Sequence, residues 1–121
     1  MKQTELHPVV RIQLYTDDKC FGPGIAQLLE LVAERKSLRA AAQSMGMAYS
    51  KAWTVVRRCE ESLGYPLLLS STGGRHGGGA ELTDEARAML AGYRAYCRAL
   101  NEAAERLFPD YFPGSGNPDG Q

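Results

Sequence analysis

The sequence has few of the residues that metal, nucleophilic or redox chemistry needs. Its three cysteines, Cys20, Cys59 and Cys97, form an odd and widely spaced set without a metal-ligand pattern. Its two histidines, His7 and His76, fall in expected loops with no paired carboxylate or nucleophile nearby. We therefore expect no enzyme, no metal site and no cofactor. The cysteine usage fits a reducing cytoplasm.

Long apolar runs are also missing. The N-terminal stretch MKQTELHPVV lacks the apolar core of a signal peptide, and no run approaches membrane-spanning length. The net charge of the 121 residues is zero, so the total charge gives no argument for a nucleic-acid partner. These absences predict one cytoplasmic domain with a modest core and no membrane contact.

The charges are nevertheless distributed unevenly along the chain. Between Arg35 and Arg75 there are seven Lys or Arg, and the only acidic residues are Glu60 and Glu61. The rest of the chain carries the compensating negative charge. A local excess of this kind is the basic footprint that nucleic-acid-binding domains show.

The segment from Ser37 to Gly64 has the pattern of two short helices joined by a glycine turn. Ser37 is the expected N-cap of a helix over residues 38–45. Gly46 ends that helix, because a tight turn needs a residue that tolerates positive φ. Small alanines before Gly46 allow the next helix to cross closely. This pattern predicts a helix-turn-helix.

The second helix is expected over residues 49–63, and its two sides differ. Apolar residues at the helical period define one side: Ala52, Val55, Val56, Cys59 and Leu63. Hydrogen-bond donors define the other: Ser50, Lys51, Thr54, Arg57 and Arg58. Such donors reach phosphates and base edges, so we interpret this side as a DNA-reading face. A solvated helix surface is the alternative. Trp53, between the two sides, is interpreted as a packing residue.

The segments on either side of this motif predict a scaffold and a wing. Alternating apolar residues predict a strand over residues 9–15, and an apolar stripe predicts a scaffold helix over residues 25–36. Residues 65–71 and 80–82 predict a β-hairpin with a glycine-rich tip at 72–79. Arg75 and His76 near the apex suit contacts with the DNA backbone or minor groove. A loose surface loop is one alternative for this segment. A phosphate-binding loop for a nucleotide is another, but the Gly-Lys-Ser or Gly-Lys-Thr that such a loop needs does not follow.

Residues 83–108 form the longest periodic segment, with Thr83 as the expected N-cap and Pro109 as the expected stop. The four-three spacing of apolar residues indicates a helix that pairs with a second copy, and folding back onto its own domain is the alternative. The expected dimer-interface residues are Leu90, Tyr93, Cys97, Leu100, Ala104 and Leu107. The tail, residues 109–121, is rich in Pro and Gly and is expected to be disordered.

From about Val10 to Tyr93 the chain resembles the N-terminal DNA-binding domain of molybdate-dependent, ModE-type transcriptional regulators, which is related to LysR-type DNA-binding domains. The motifs that carry the resemblance are Gly22-Pro23-Gly24, SLRAAA, MGMAY, KAW, Pro66-Leu67, and STGG through GGGAELT. The resemblance implies a dimeric winged-helix repressor or activator on double-stranded DNA. The family usually caps the recognition helix with Ser, where this chain has Ala48, so either the cap is lost or Ser50 takes over with a shifted helix start. No molybdate-binding module is expected in this chain.

Together these patterns predict a mainly α fold with a small β-hairpin wing: a winged helix-turn-helix plus a long C-terminal dimerisation helix. The expected organisation is a flexible N-terminus (1–8), a DNA-binding domain (9–82), a dimerisation helix (83–108) and the tail. The predicted function is sequence-specific transcription regulation by a homodimer. The alternative is a winged-helix protein–protein interaction module without DNA specificity. The candidate DNA contacts are Ser37, Arg39, Tyr49, Ser50, Lys51, Thr54, Arg57, Arg58, Arg75 and His76.

Overall fold

The computed structural model describes residues 5–71 and 79–114. The described chain forms two compact units. Of the described residues, the larger unit holds 12–71 and 79–93, and the smaller unit combines 5–11 with 94–114. Each unit has its own set of contacts and is described separately below.

Helices dominate the secondary structure, and the strands are short. The predicted mainly α fold with a small β-hairpin is confirmed. No helix within residues 5–71 and 79–114 has the length and hydrophobicity needed to cross a bilayer. In chain order the elements are β1 (Leu14–Tyr15), β2 (Lys19–Phe21), α1 (Pro23–Arg35), α2 (Leu38–Ser44), α3 (Tyr49–Leu63), β3 (Leu68–Ser71), β4 (Gly79–Leu82) and α4 (Asp84–Tyr111).

A two-stranded hairpin begins the larger unit. β1 and β2 pair antiparallel with Leu14 opposite Phe21, and the register shifts between Leu14 and Tyr15. The predicted strand over residues 9–15 is therefore wrong in extent, because only its last two residues pair. Strand β2 was not predicted at all. A three-residue strand is too short to show a period of two, so its sequence carries no strand signal.

The core of the larger unit lies where α1, α2 and α3 meet. Helix α1 begins two residues earlier than predicted, because Pro23 occupies its first turn, where a missing N–H costs nothing. The ring of Phe21 is fully buried, and it meets the Tyr93 ring in a T-shaped arrangement with 5.1 Å between the centroids. The Tyr93 hydroxyl donates to the carbonyl of Ile12 at 2.6 Å. Tyr93, an expected interface residue, thus packs inside its own unit.

The base of the predicted wing is a regular hairpin. β3 and β4 pair antiparallel, with Leu68 opposite Leu82 and Ser71 opposite Gly79. The side chain of Ser71 and residues 72–78 lie outside the described part of the chain. The amide of Ala80 donates to the carbonyl of Lys36 at 3.0 Å, which fixes β4 to the junction between α1 and α2.

Helix α4 begins as predicted and ends later. The Thr83 hydroxyl oxygen accepts from the amide of Ala86 at 3.0 Å, which confirms the predicted cap. Pro109 lies inside the helix, so the predicted stop is wrong. Proline removes one backbone donor, and the helix continues around it to Tyr111. The amide of Phe112 still bonds to the carbonyl of Phe108 at 3.0 Å, and their rings stack at 4.8 Å.

In the smaller unit, the Asn101 side chain of α4 binds the backbone of Val10. The amide of Val10 donates to Asn101 Oδ1 at 2.8 Å, and Asn101 Nδ2 donates to the Val10 carbonyl at 3.0 Å. Asn101 Nδ2 also reaches the Cys97 carbonyl at 2.8 Å. The side-chain amide therefore gives the backbone of Val10 the two bonds that a neighbouring strand would give, and residues 9–11 form no strand.

Candidate nucleic-acid interface

The geometry of α2, its turn and α3 is set by a cap and a glycine. The Ser37 hydroxyl oxygen accepts from the amide of Ala40 at 3.0 Å, as the predicted N-cap requires. Helix α2 ends at Ser44, and Gly46 follows with φ of 66°. The amide of Met47 then donates to the Ala42 carbonyl at 2.9 Å, which closes the turn. The predicted helix–glycine turn–helix is confirmed.

Helix α3 occupies the predicted residues, Tyr49–Leu63, and lacks a side-chain cap. Ala48 stands at its N-cap position and makes no side-chain hydrogen bond. The departure from the family's usual Ser therefore removes the cap, and the helix start does not shift to Ser50. The amides of the first turn keep the partial positive charge of a helix N-terminus, which favours a phosphate group nearby.

The two sides of α3 differ in burial as the sequence predicts. Ala52, Val56 and Cys59 are buried in the core of the larger unit, and Val55 and Leu63 are half-buried. All five residues of the expected DNA-reading face are exposed: Ser50, Lys51, Thr54, Arg57 and Arg58. We call these five residues the outer face of α3.

The cations of the outer face are not neutralised by nearby carboxylates. Ion pairs seen within residues 5–71 and 79–114 join Arg35 to Glu34 and Arg87 to Asp84, and neither of these two includes a cation of α3. The positive charges of the outer face are therefore available to an external anion. A polyanion such as the DNA backbone gains affinity from each such charge through counterion release.

An aromatic pair supports two of the arginines. The Arg39 guanidinium lies 4.1 Å from the centre of the Tyr49 ring, and the Arg57 guanidinium lies 5.1 Å from the Trp53 ring. The Tyr49 and Trp53 rings meet edge to face at 6.4 Å. These contacts form a continuous row, which we call the Arg–aromatic row. Cation–π contact limits the motion of both arginines without neutralising them.

Sequence analysis assigned Trp53 to packing and missed its contact with Arg57. The available signal was the spacing of Tyr49, Trp53 and Arg57 at i, i+4 and i+8, which places all three on one helical line. The contribution of Arg39 from α2 has no such signal, because it depends on the angle at which the two helices cross. Thr54 was expected to offer its hydroxyl as a donor to DNA, but this hydroxyl donates to the Ser50 carbonyl at 3.0 Å.

Glu60 connects α3 to the base of the hairpin, a role that sequence analysis did not assign. Its Oε2 accepts from the amides of Leu67 at 2.8 Å and Leu68 at 3.4 Å. Thr83 completes the junction, because its amide donates to the Leu67 carbonyl at 2.9 Å and its hydroxyl donates to the Pro66 carbonyl at 2.8 Å. The C-terminal end of α3 and the start of β3 are thus fixed together.

The tip of the predicted wing lies in the part of the chain that is not described. Arg75 and His76 belong to that segment. The flanking strands β3 and β4 are described, so the hairpin itself is observed and the two apex contacts stay predictions. Ser37, another predicted contact, uses its hydroxyl oxygen as the helix cap.

A capped helix, a glycine turn and a second helix with an exposed cationic side define a helix-turn-helix of the DNA-binding class, and the hairpin after it is typical of the winged form. Residues 26–87 match the bacterial regulatory helix-turn-helix proteins of the LysR family. This match covers just over half of the chain. The chain belongs to that family.

Relatives with described roles include molybdenum-related proteins. The chain is 36% identical over 85 residues to a molybdenum transport protein, ModE, of Azotobacter vinelandii, covering 67% of this chain and 32% of that protein. It is 32% identical over 115 residues to the transcriptional regulator ModE of Haemophilus influenzae, and the match covers 93% of this chain and 43% of that protein. A molybdenum-pterin-binding protein, MopA, of Rhodobacter capsulatus is 34% identical over 77 residues, and the match covers 64% of this chain and 29% of that protein.

These comparisons confirm the resemblance to ModE-type and LysR-type proteins. The chain spans less than half the length of each of these relatives. The family match over residues 26–87 contains α2, α3 and the described strands of the hairpin.

Proposed function

We propose that the protein is a sequence-specific transcriptional regulator that binds double-stranded DNA as a homodimer, with α3 in the major groove. The observation that carries this proposal is the outer face of α3, whose cations and hydroxyls are exposed and lack carboxylate partners among the described residues. The proposed role is cytoplasmic and non-catalytic.

The proposed contacts divide into positioning and reading. Lys51 and Arg39 bind phosphates, and the uncapped start of α3 favours a third phosphate contact. Arg57 and Arg58 reach base edges, where an arginine fork pairs with guanine. Thr54 has donated its hydroxyl hydrogen to Ser50, so we expect it to act through its methyl group and its acceptor lone pairs.

The proposed wing contacts follow from the hairpin base. Glu60 and the Ala80 amide fix the two strands of the hairpin to the helix-turn-helix. A wing attached in this way extends the same DNA-binding surface along the backbone or into the minor groove. In this proposal Arg75 and His76 supply the contacts at the apex.

The proposed dimer uses the second half of α4. Three large apolar side chains on one side of the helix are more than half exposed: Tyr96 at 52%, Leu107 at 54% and Tyr111 at 73%. Leu100 and Ala104 lie half-buried on the same side. Because the described residues leave these three side chains more than half exposed, a second copy is the proposed partner of this apolar surface. We omit Tyr93 from the interface, since only 3% of it is exposed.

Two recognition helices in such a dimer read two half-sites. A dyad relates the half-sites, so the operator is expected to be an inverted repeat with half-site centres about 34–36 Å apart or a multiple of that spacing. Selection of bound sequences from random DNA, followed by footprinting, tests this proposal. A protein-docking module would enrich no defined site, which would refute it.

The same selection gives two further comparisons. Repeating it with the Arg57→Ala variant should relax the preference at one base position in each half-site, while the half-site spacing is retained. Repeating it with molybdate tests the expectation that this chain of 121 residues does not itself sense the oxyanion. A molybdate-dependent operator affinity would contradict that expectation.

A further inference from the structure

Two cysteines from distant parts of the sequence meet in the larger unit. Cys20 lies in β2 and Cys59 lies in α3, and their Sγ atoms are 3.7 Å apart despite a separation of 39 residues. Both are free thiols. Cys20 is half-buried, and Cys59 is only 2% exposed. Nothing in the DNA-binding proposal uses either side chain.

The cysteine pair is accessible through an open cavity. Both residues line a cavity of about 790 Å³ between the first hairpin and α3, together with Gln13, Lys19 and Arg58. A cavity of this volume that is open to solvent admits a small polar oxidant. Buried structural cysteines lack such a route and are inert for that reason.

We propose that Cys20 and Cys59 form a redox-active dithiol site that a hydroperoxide converts into an intramolecular disulfide. The two sulfurs are already in van der Waals contact, and a disulfide needs an approach to about 2.0 Å. Cys59 is fixed by its helix, so the approach falls to Cys20. Its strand has three residues and pairs with an irregular register, and it can therefore shift at small cost.

The chemistry begins at Cys20. Its thiolate attacks one peroxide oxygen, the O–O bond breaks, and the leaving alkoxide or hydroxide takes up a proton. The resulting sulfenic acid is attacked by the Cys59 sulfur, which forms the S–S bond, breaks the S–O bond and releases water. In total, two thiols and one hydroperoxide give one disulfide, one water and one alcohol, or a second water from hydrogen peroxide.

The environment of Cys59 explains this order. Burial, and then the charge and hydrogen bond of Cys20, raise the pKa of the Cys59 thiol from 9.0 to about 12. Cys59 is therefore protonated at neutral pH and does not attack the oxidant first. Once Cys20 is a neutral sulfenic acid, its charge no longer opposes ionisation of Cys59, and the separation of 3.7 Å keeps the Cys59 sulfur beside the oxidised sulfur that it attacks.

A bound metal fits these residues less well. Within residues 5–71 and 79–114 there is no group of three or more His, Cys, Asp and Glu residues suited to a metal ion. Zinc sites in proteins generally need three or four protein ligands. Two thiols are enough to form a disulfide but too few to form a zinc site.

The test is peptide mapping of the reduced full chain after treatment with one equivalent of hydrogen peroxide and rapid alkylation. We expect one intramolecular cross-linked peptide pair containing Cys20 and Cys59, with the loss of two hydrogen atoms and release by dithiothreitol. Cys97→Ala is the matched control, because Cys97 belongs to the smaller unit, and it should leave the cross-link unchanged.

Single variants separate the two thiols. In Cys59→Ala, Cys20 should stop at the sulfenic acid and be trapped by dimedone. In Cys20→Ala, Cys59 should stay unmodified at neutral pH. Circular dichroism of each variant checks that it is folded. Oxidation confined to Cys97, cross-links between chains only, or dimedone labelling of Cys59 in Cys20→Ala would each overturn the proposal.

Discussion

Helix α3 and the second half of α4 are both amphipathic, yet they expose opposite kinds of side chain. On α3 the apolar residues are buried within the larger unit, and the exposed side carries Lys51, Arg57 and Arg58. On α4 beyond Tyr93, the exposed residues include the large apolar side chains of Leu107 and Tyr111.

This difference indicates two kinds of partner. Exposed cations are well solvated and attract a polyanion, whereas exposed apolar surface gains about 25 cal/mol per Å² when another apolar surface covers it. The proposed regulator uses both, with DNA on α3 and a second copy on α4. The experiments below test each half of this comparison, beginning with the largest expected effect.

Leu107→Asp should have the largest effect on operator affinity. An aspartate in an apolar dimer interface is buried without a partner, and the dimer dissociates. Because the two half-sites are then bound independently, operator affinity should fall by about a hundredfold to ten-thousandfold. Sedimentation gives the oligomeric state, and gel-shift titration gives the affinity.

The matched control is Ala95→Asp, which introduces the same side chain on the opposite, exposed side of α4. We expect this variant to stay dimeric with unchanged operator affinity. A wild-type monomer at micromolar concentration, or equal effects of both variants, would refute dimerisation through α4. The proposed DNA contact of α3 would then stand alone.

Arg57→Ala tests the outer face of α3 and should cost about 1–3 kcal/mol of operator binding if Arg57 contacts a base. Arg57→Lys keeps the positive charge but lacks the forked donors of the guanidinium. Compared with Arg57→Ala, it should recover non-specific DNA binding but not the base preference. Arg98→Ala removes the same charge from an exposed site on α4 and serves as the control. Unchanged affinity and salt dependence in Arg57→Ala would exclude this side of α3 from DNA contact.

The periodic parts of the molecule were predictable from sequence. Helix α3 was predicted with the observed bounds, because a 3.6-residue apolar period runs between two glycines, Gly46 and Gly64. The wing strands followed from short apolar runs on either side of a glycine-rich segment. In each case a local pattern sufficed.

The parts that failed depend on contacts between distant residues. The alternation at residues 9–15 was interpreted as sheet pairing, but Asn101 satisfies the backbone of Val10. Pro109 was expected to end α4, but one missing donor near the end of a long helix is tolerated. The roles of Trp53 and Glu60 also require neighbours that no local pattern specifies.

Glu60→Ala should lower stability more than it lowers intrinsic contact with DNA. A carboxylate that accepts two backbone amides contributes about 1.5–3 kcal/mol, and its removal leaves the Leu67 amide without that partner. Urea denaturation measures the loss. Glu61→Ala is the control, because Glu61 is the exposed neighbour and should change the free energy of unfolding by less than about 0.5 kcal/mol. Equal effects of the two variants would show that Glu60 does not hold the hairpin to α3.

Gly46→Ala should have the smallest effect, and it isolates the turn that presents α3. A Cβ at Gly46 would meet no atom within 4 Å, so its cost is the positive φ of 66° alone. We expect a loss of about 1–2 kcal/mol in the free energy of unfolding.

Gly92→Ala is the matched control, because its Cβ also meets no atom within 4 Å, but the residue is helical. That variant should gain about 0.5–1 kcal/mol. A stabilised Gly46→Ala would mean that the turn relaxes into ordinary helix, and operator affinity should then fall because α3 is presented at a different angle.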